Sequence, residues 1–163
     1  MRCKFCHLTL KNAKHIKLEG DQILSNLQEA FLDSYTLHPE LAEKYVKLSW
    51  MGMGDAINKS AMVYDVTTKF LDWLFEHGYA RGLDGVDLST VMPKMSSSAW
   101  MGHFHALEAH LANYPRNPAY AMDNVQYTNG AYTHRNIFRL FYSIESAVQS
   151  ARDVVIQIGR AHV

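Results

Sequence analysis

Apolar positions fall into blocks with two different periods. Ile23, Leu24, Leu27, Phe31 and Tyr35 recur at helical spacing, so residues 19–35 are predicted as an amphipathic helix, with Pro39 at or after the connection that follows. Val46, Leu48 and Trp50 alternate with Tyr45, Lys47 and Ser49, which predicts a strand over 45–50. Met51-Gly52-Met53-Gly54-Asp55 follows directly as a glycine-containing turn. Met62, Val63, Val66, Phe70, Leu71 and Leu74 share one face of a second helix over 60–77, and Gly78 is the natural residue just past its end. Val86, Leu88, Thr90 and Val91 predict a short strand over 85–92, closed by Pro93. Trp100, Phe104, Leu107 and Leu111 predict a helix over 97–112. Residues 114–136, with Pro115, Pro118, Gly130 and several asparagines, predict a long loop. A third strand is predicted over 137–143 and a further helix over 147–156.

This alternation implies βαβ units, a parallel sheet and an α/β fold. Functional groups then belong at the C-terminal strand ends. Three groups lie there: the Gly-Met-Gly-Asp turn, Ser89-Thr90, and Ser143-Ile144-Glu145.

Composition narrows the class. The chain has 163 residues, 48% apolar and 20% charged, which suits one globular domain and excludes a disordered or collagen-like chain. Lys+Arg and Asp+Glu both number 16, so contact with a nucleic acid would need a local patch rather than a whole-domain field. No apolar run approaches the ~18 residues of a membrane span, and no signal-peptide h-region follows Met1. Cys3 and Cys6 are the only cysteines, a close pair that points to metal or redox chemistry in a reducing compartment.

The last six residues, Ile158-Gly159-Arg160-Ala161-His162-Val163, are what ATC GGA AGA GCA CAC GTC encodes, which resembles the start of a common sequencing adapter. On that reading residues 1–157 are a fragment of one domain and residues 158–163 an artefact.

Cys3-Lys4-Phe5-Cys6 sets two thiolates two residues apart, a spacing that serves an iron–sulfur cluster, a zinc knuckle or a redox pair. Together with three further segments it resembles the radical S-adenosylmethionine superfamily. That family's cluster loop is Cys, three residues, Cys, one residue, an aromatic, Cys. Phe5 takes the aromatic place, and the first Cys would lie two residues before Met1. Trp50-Met51-Gly52-Met53-Gly54-Asp55-Ala56 is similar to the Met-Gly-Met-Gly-Glu-Pro segment of the branch that methylates ribosomal RNA adenine at C2 or C8, with Asp55 for Glu and Ala56 for Pro. Leu88-Ser89-Thr90 is similar to the family's Ser-Thr-Ser-Gly segment, with Val91 for the second Ser. Leu140-Phe141-Tyr142-Ser143-Ile144-Glu145, with Arg152 beyond it, is similar to the Leu-Ser-Leu-His strand, with Glu145 for His.

The resemblance implies a partial (β/α)6 barrel with a parallel sheet. It also implies a 4Fe–4S cluster on Cys3 and Cys6, and S-adenosylmethionine bound near Phe5, Gly52, Met53, Gly54, Asp55, Ser89, Ser143 and Glu145. Reductive cleavage of that cofactor would give a 5′-deoxyadenosyl radical, used for RNA adenine methylation or on a protein or small molecule. A cytoplasmic monomer with an electron donor such as flavodoxin follows, with no membrane partner. The fragment itself is expected to be inactive, lacking one cluster thiolate.

Simpler readings stand beside these. The glycines serve a plain turn, and Ser89, Ser143 and Glu145 are ordinary strand-end or helix-capping residues. Met51, Met53, Met62 and Met92 fill core. Lys11, Lys14, His15 and Lys17 form a solvated face or touch phosphates. A non-enzymatic metal-binding module would use the Cys pair and the histidines of His103-Phe104-His105-Ala106-Leu107-Glu108-Ala109-His110. On a helix, however, His103 and His105 point about 200° apart. Solvated or core-satisfied histidines fit that segment better.

Overall fold

The computed structural model of the chain describes residues 16–50, 55–90, 97–118, 127–129 and 136–140. Helix α1 spans Gly20–Leu37, starting one residue later and ending two residues later than predicted. The Glu19 N–H donates to Gln22 Oε1 at 3.0 Å and Asp21 sits in the first turn, so the exposed donors and positive dipole end of the helix meet oxygen atoms. Pro39 follows the helix at the start of a 3-10 turn, Pro39–Glu43. Strand β1 is Tyr45–Trp50, as its alternation predicts.

Helix α2 spans Ser60–Glu76 and buries Val63, Val66, Thr67, Phe70, Leu71 and Leu74 along one stripe. It ends in a Schellman motif. Gly78 takes φ 67°, the Gly78 N–H donates to Phe75 O and the Tyr79 N–H to Leu74 O at 2.8 Å. Strand β2 is Gly82–Thr90, starting three residues before its apolar pattern does. Helix α3 is Ser97–Leu111 and buries Trp100, Phe104, Leu107 and Leu111.

β1 and β2 pair in parallel, from Tyr45 opposite Gly82 to Trp50 opposite Leu88. α2 is the crossover between them. Val86 and Leu88 join Val63, Leu71, Leu74, Phe104 and Leu107 in one core, and Val46, Leu48 and Trp50 pack against it. The Trp50 Nε1–H donates to the Thr67 hydroxyl at 2.8 Å, tying the end of β1 to the middle of α2. A bulge interrupts β2, where Val46 faces Leu83 but Lys47 faces Gly85, leaving Asp84 without an opposite residue. Gly85 has φ 148° there, a conformation that favours glycine.

The third predicted strand departs from expectation. β4, Asn136–Leu140, pairs antiparallel with β2, and β3, Tyr127–Asn129, pairs antiparallel with β4. The sheet order is β1-β2-β4-β3. The wholly parallel sheet expected from the alternation is therefore corrected to a mixed one, and the predicted loop over 114–136 contains a strand. β3 and β4 are antiparallel because only residues 130–135 join them, enough for a hairpin and short of the dozen or so that a parallel crossover needs. The parallel place beside β2 is taken by Pro115–Asn117. The Leu83 N–H donates to Pro115 O at 2.6 Å, the Asn117 N–H donates to Leu83 O at 3.0 Å, and Leu83 and Arg116 form a parallel bridge. The predicted helix over 147–156 lies outside the described residues. The described part is a mixed helix-and-strand fold, and none of its helices is long and apolar enough to cross a membrane.

Two glycines should respond to added methyl groups with opposite signs. A Cβ on Gly82 would sit 2.7 Å from Pro115 O and 2.8 Å from the Tyr45 ring, whereas one on Gly102 would meet nothing within 4 Å. Gly82→Ala is expected to cost about 1–3 kcal/mol. Gly102→Ala, in a helix interior, is expected to add about 0.5–1 kcal/mol. Urea unfolding of both variants checks the pair.

Candidate functional site at the C-terminal edge of the parallel strands

Because β1 and β2 run the same way with Trp50 opposite Leu88, the chain leaves both strands on one edge of the sheet. Trp50, which precedes the Met-Gly-Met-Gly-Asp turn in sequence, and Leu88, which opens the Leu-Ser-Thr segment, are therefore neighbours, although they lie far apart in sequence. Ser89 is the first β2 residue beyond Leu88, and its backbone pairs with Ile137 of β4.

Asp55 is buried where the chain re-enters from this edge. Its Oδ1 accepts the Ile57 N–H at 3.0 Å, a local side-chain-to-backbone bond at the entrance to the 3-10 turn Ile57–Lys59 that leads into α2. Ala56 beside it belongs to the core. The Asp55 carboxylate thus holds the segment it sits in. Cys3, Phe5, Cys6, Gly52, Met53, Gly54, Ser143 and Glu145 lie outside the described residues.

The sheet face turned away from α2 and α3 carries a polar pair that the sequence reading missed. Lys47 Nζ stands 2.8 Å from Asp87 Oδ2, and the Asp87 side chain is only 6% exposed against 35% for Lys47. Ser49 is in register with Asp87. The signal was present as a carboxylate between Val86 and Leu88, both buried. An acid at that place in a strand belongs to the opposite face and needs a partner there.

The histidine-rich segment does not act as one cluster. His103 Nδ1 is 3.0 Å from the Ser60 hydroxyl at the start of α2. His105 Nδ1 lies 3.8 Å from Glu108 on the same helix. His110 Nε2 lies 3.0 Å from Asp72 Oδ1 and 2.8 Å from the Tyr114 hydroxyl. Burial first, and then the bond to the Asp72 carboxylate, raise the Tyr114 phenol above its ordinary pKa. Among the described residues, no three His, Cys, Asp or Glu side chains gather closely enough to hold a metal ion.

Removing the cation beside the buried Asp87 carboxylate should cost more than removing one from a wholly exposed pair. Lys47→Met is expected to destabilise by about 1–3 kcal/mol, because the Asp87 carboxylate loses a charged partner out of water. Lys69→Met, which breaks an exposed pair with Asp65, is expected to leave the unfolding midpoint nearly unchanged. Chemical denaturation of the two variants side by side tests this. Compared with protein-family models, curated proteins and solved structures, the chain matches none.

Proposed function

We propose that this chain serves radical S-adenosylmethionine chemistry. The observation that supports the reading is the shared strand edge. Two segments chosen from motif likeness alone, Trp50–Ala56 and Leu88–Thr90, leave parallel neighbours side by side. A cofactor held by one segment would face the other. The donor chemistry of the remaining motif also suits the group, since paired thiolates are the ordinary ligands of iron–sulfur clusters.

On this reading Cys3 and Cys6 hold the 4Fe–4S cluster, with a third thiolate placed two residues before Met1. When bound, the cluster supplies the one-electron reductive cleavage of S-adenosylmethionine. The chain's own part is placement. Gly52 and Gly54 carry no Cβ and so let backbone carbonyls approach the cofactor's amino group. Asp55 fixes the turn into α2 by accepting the Ile57 N–H. Ser89 presents a hydroxyl-bearing residue at the neighbouring strand end, and Phe5, Met53, Ser143 and Glu145 complete the cofactor's surroundings. The Met-Gly-Met-Gly segment favours RNA adenine methylation as the outcome, while a protein or small molecule is the other substrate class. The protein acts as a cytoplasmic monomer fed by a donor such as flavodoxin.

The test is anaerobic reconstitution with iron and sulfide of the chain preceded by Cys-Gly, which restores the three-thiolate spacing. This form is expected to take up roughly four irons and, with a strong reductant, to release 5′-deoxyadenosine slowly from S-adenosylmethionine. Cys3→Ala and Cys6→Ala should each abolish both. His105→Ala, at a half-exposed position, should change neither. Full iron loading without cleavage, or cleavage that survives loss of either cysteine, would refute the proposal.

A further inference from the structure

We propose that the basic segment leading into α1, together with Lys59, binds the phosphate backbone of a single-stranded RNA at the candidate-site edge. For what is then done to that RNA the proposal rests on the reading above, while the binding itself needs neither cluster nor cofactor. The chain is neutral as a whole but not locally. Residues 2–17 hold Arg2, Lys4, Lys11, Lys14 and Lys17 and no acid, whereas residues 18–43 hold six acids and no Lys or Arg. A neutral domain needs such a local patch to attract a polyanion.

The start of α1 fixes where this segment enters. A Cβ on Gly20 would lie 3.3 Å from Val66 and 3.5 Å from Met62, so α1 begins against the first turns of α2, whose own start is ten residues beyond Trp50 at the end of β1. Lys17 Nζ is 2.6 Å from Glu19 Oε1, and Lys59 is exposed in the 3-10 turn that enters α2. The hydrogen bond and charge of Lys17, and more weakly the charge of Lys59, hold the Glu19 carboxyl below its ordinary pKa, so cations from two elements gather around one carboxylate. Lys14 and Lys11 lie two and five residues before Ile16, within about 7 Å and about 18 Å of it at full extension.

The choice of partner follows from what surrounds these cations. A lipid surface would need an apolar face beside them, and between Lys11 and Lys17 the one large apolar residue is Ile16. Ammonium groups recurring at 11, 14 and 17 suit phosphates that recur along a strand. Glu29 and Asp33, farther along α1, repel a polyanion, which confines the contact to the edge where α1 starts.

The experiment titrates the full chain, reduced and free of iron, into a fluorescein-labelled single-stranded RNA of about 20 nucleotides and follows anisotropy over a range of salt. The expected result is saturable micromolar binding near 0.1 M salt, with log K falling against log salt at a slope of about −3 to −4, as five or six phosphate contacts on a single strand require. Lys11→Gln, Lys14→Gln and Lys17→Gln together should weaken binding at least about tenfold and flatten the slope by about 2. Lys44→Gln, Lys69→Gln and Arg81→Gln remove the same charge elsewhere, Lys44 and Arg81 at the opposite edge where β1 and β2 start, and should change the affinity less than about twofold. Vesicles of phosphatidylglycerol and phosphatidylcholine should not sediment the chain. No saturable binding to the RNA, equal weakening by the two triple variants, or capture by the vesicles without binding to the RNA overturns the proposal. Neither iron nor S-adenosylmethionine is present, so failure here and failure of the radical reading are told apart.

Discussion

Two strands running in the same direction are what everything at the candidate site depends on. A parallel pair requires a crossover, and a crossover helix is stable only if it buries a stripe on the sheet it returns to. α2 does so through Val63, Phe70, Leu71 and Leu74 against Val86 and Leu88. The Trp50–Thr67 hydrogen bond fastens the same helix to the end of β1. Were β2 reversed, Leu88-Ser89-Thr90 would leave from the edge opposite the end of β1.

Much of this was legible in the chain. The stripes of α1, α2 and α3 follow a 3.6-residue period, and Gly78 marks a helix end because few other residues accept its positive φ. β1 was legible because Val46, Leu48 and Trp50 share one side of the pleat. Strand direction was not, since periodicity reports which face is buried and says nothing of which way a neighbour runs. β4 could be located but not oriented, and β3 was hidden in a polar stretch with no apolar alternation. Gly82, at the start of β2, lies where the backbone of Pro115 and the ring of Tyr45 come too close for a side chain.

At the candidate site the motif segments could be found by spacing, but the polar contacts between elements could not. Helical geometry separates His103 from His105, yet gives no hint that Ser60, forty-three residues away in sequence, meets His103. The same holds for Asp72 and His110. Within one helix the histidines look like a cluster. In three dimensions each is drawn to a different partner, and α3 is joined to α2 by polar contacts at both ends of a shared apolar stripe.

The bulge at Asp84 has a consequence for the whole strand. Leu83 and Val86 are both core residues, yet they lie three apart, and an unbroken strand would send them to opposite faces. The extra residue advances the pleat by half a period, so Leu83 before it and Val86 and Leu88 after it point the same way. It is a phase shifter. Pairing the same residues without the bulge would turn the strand's outer half over, driving Asp87 into the hydrocarbon interior and Val86 out of it, whereas deleting one residue between Leu83 and Val86 would restore plain alternation and keep both inside. The short stretch Leu83-Asp84-Gly85 therefore sets the polarity of the sheet's two faces as far as the candidate site, and the positive φ of Gly85 is what accommodates the extra residue.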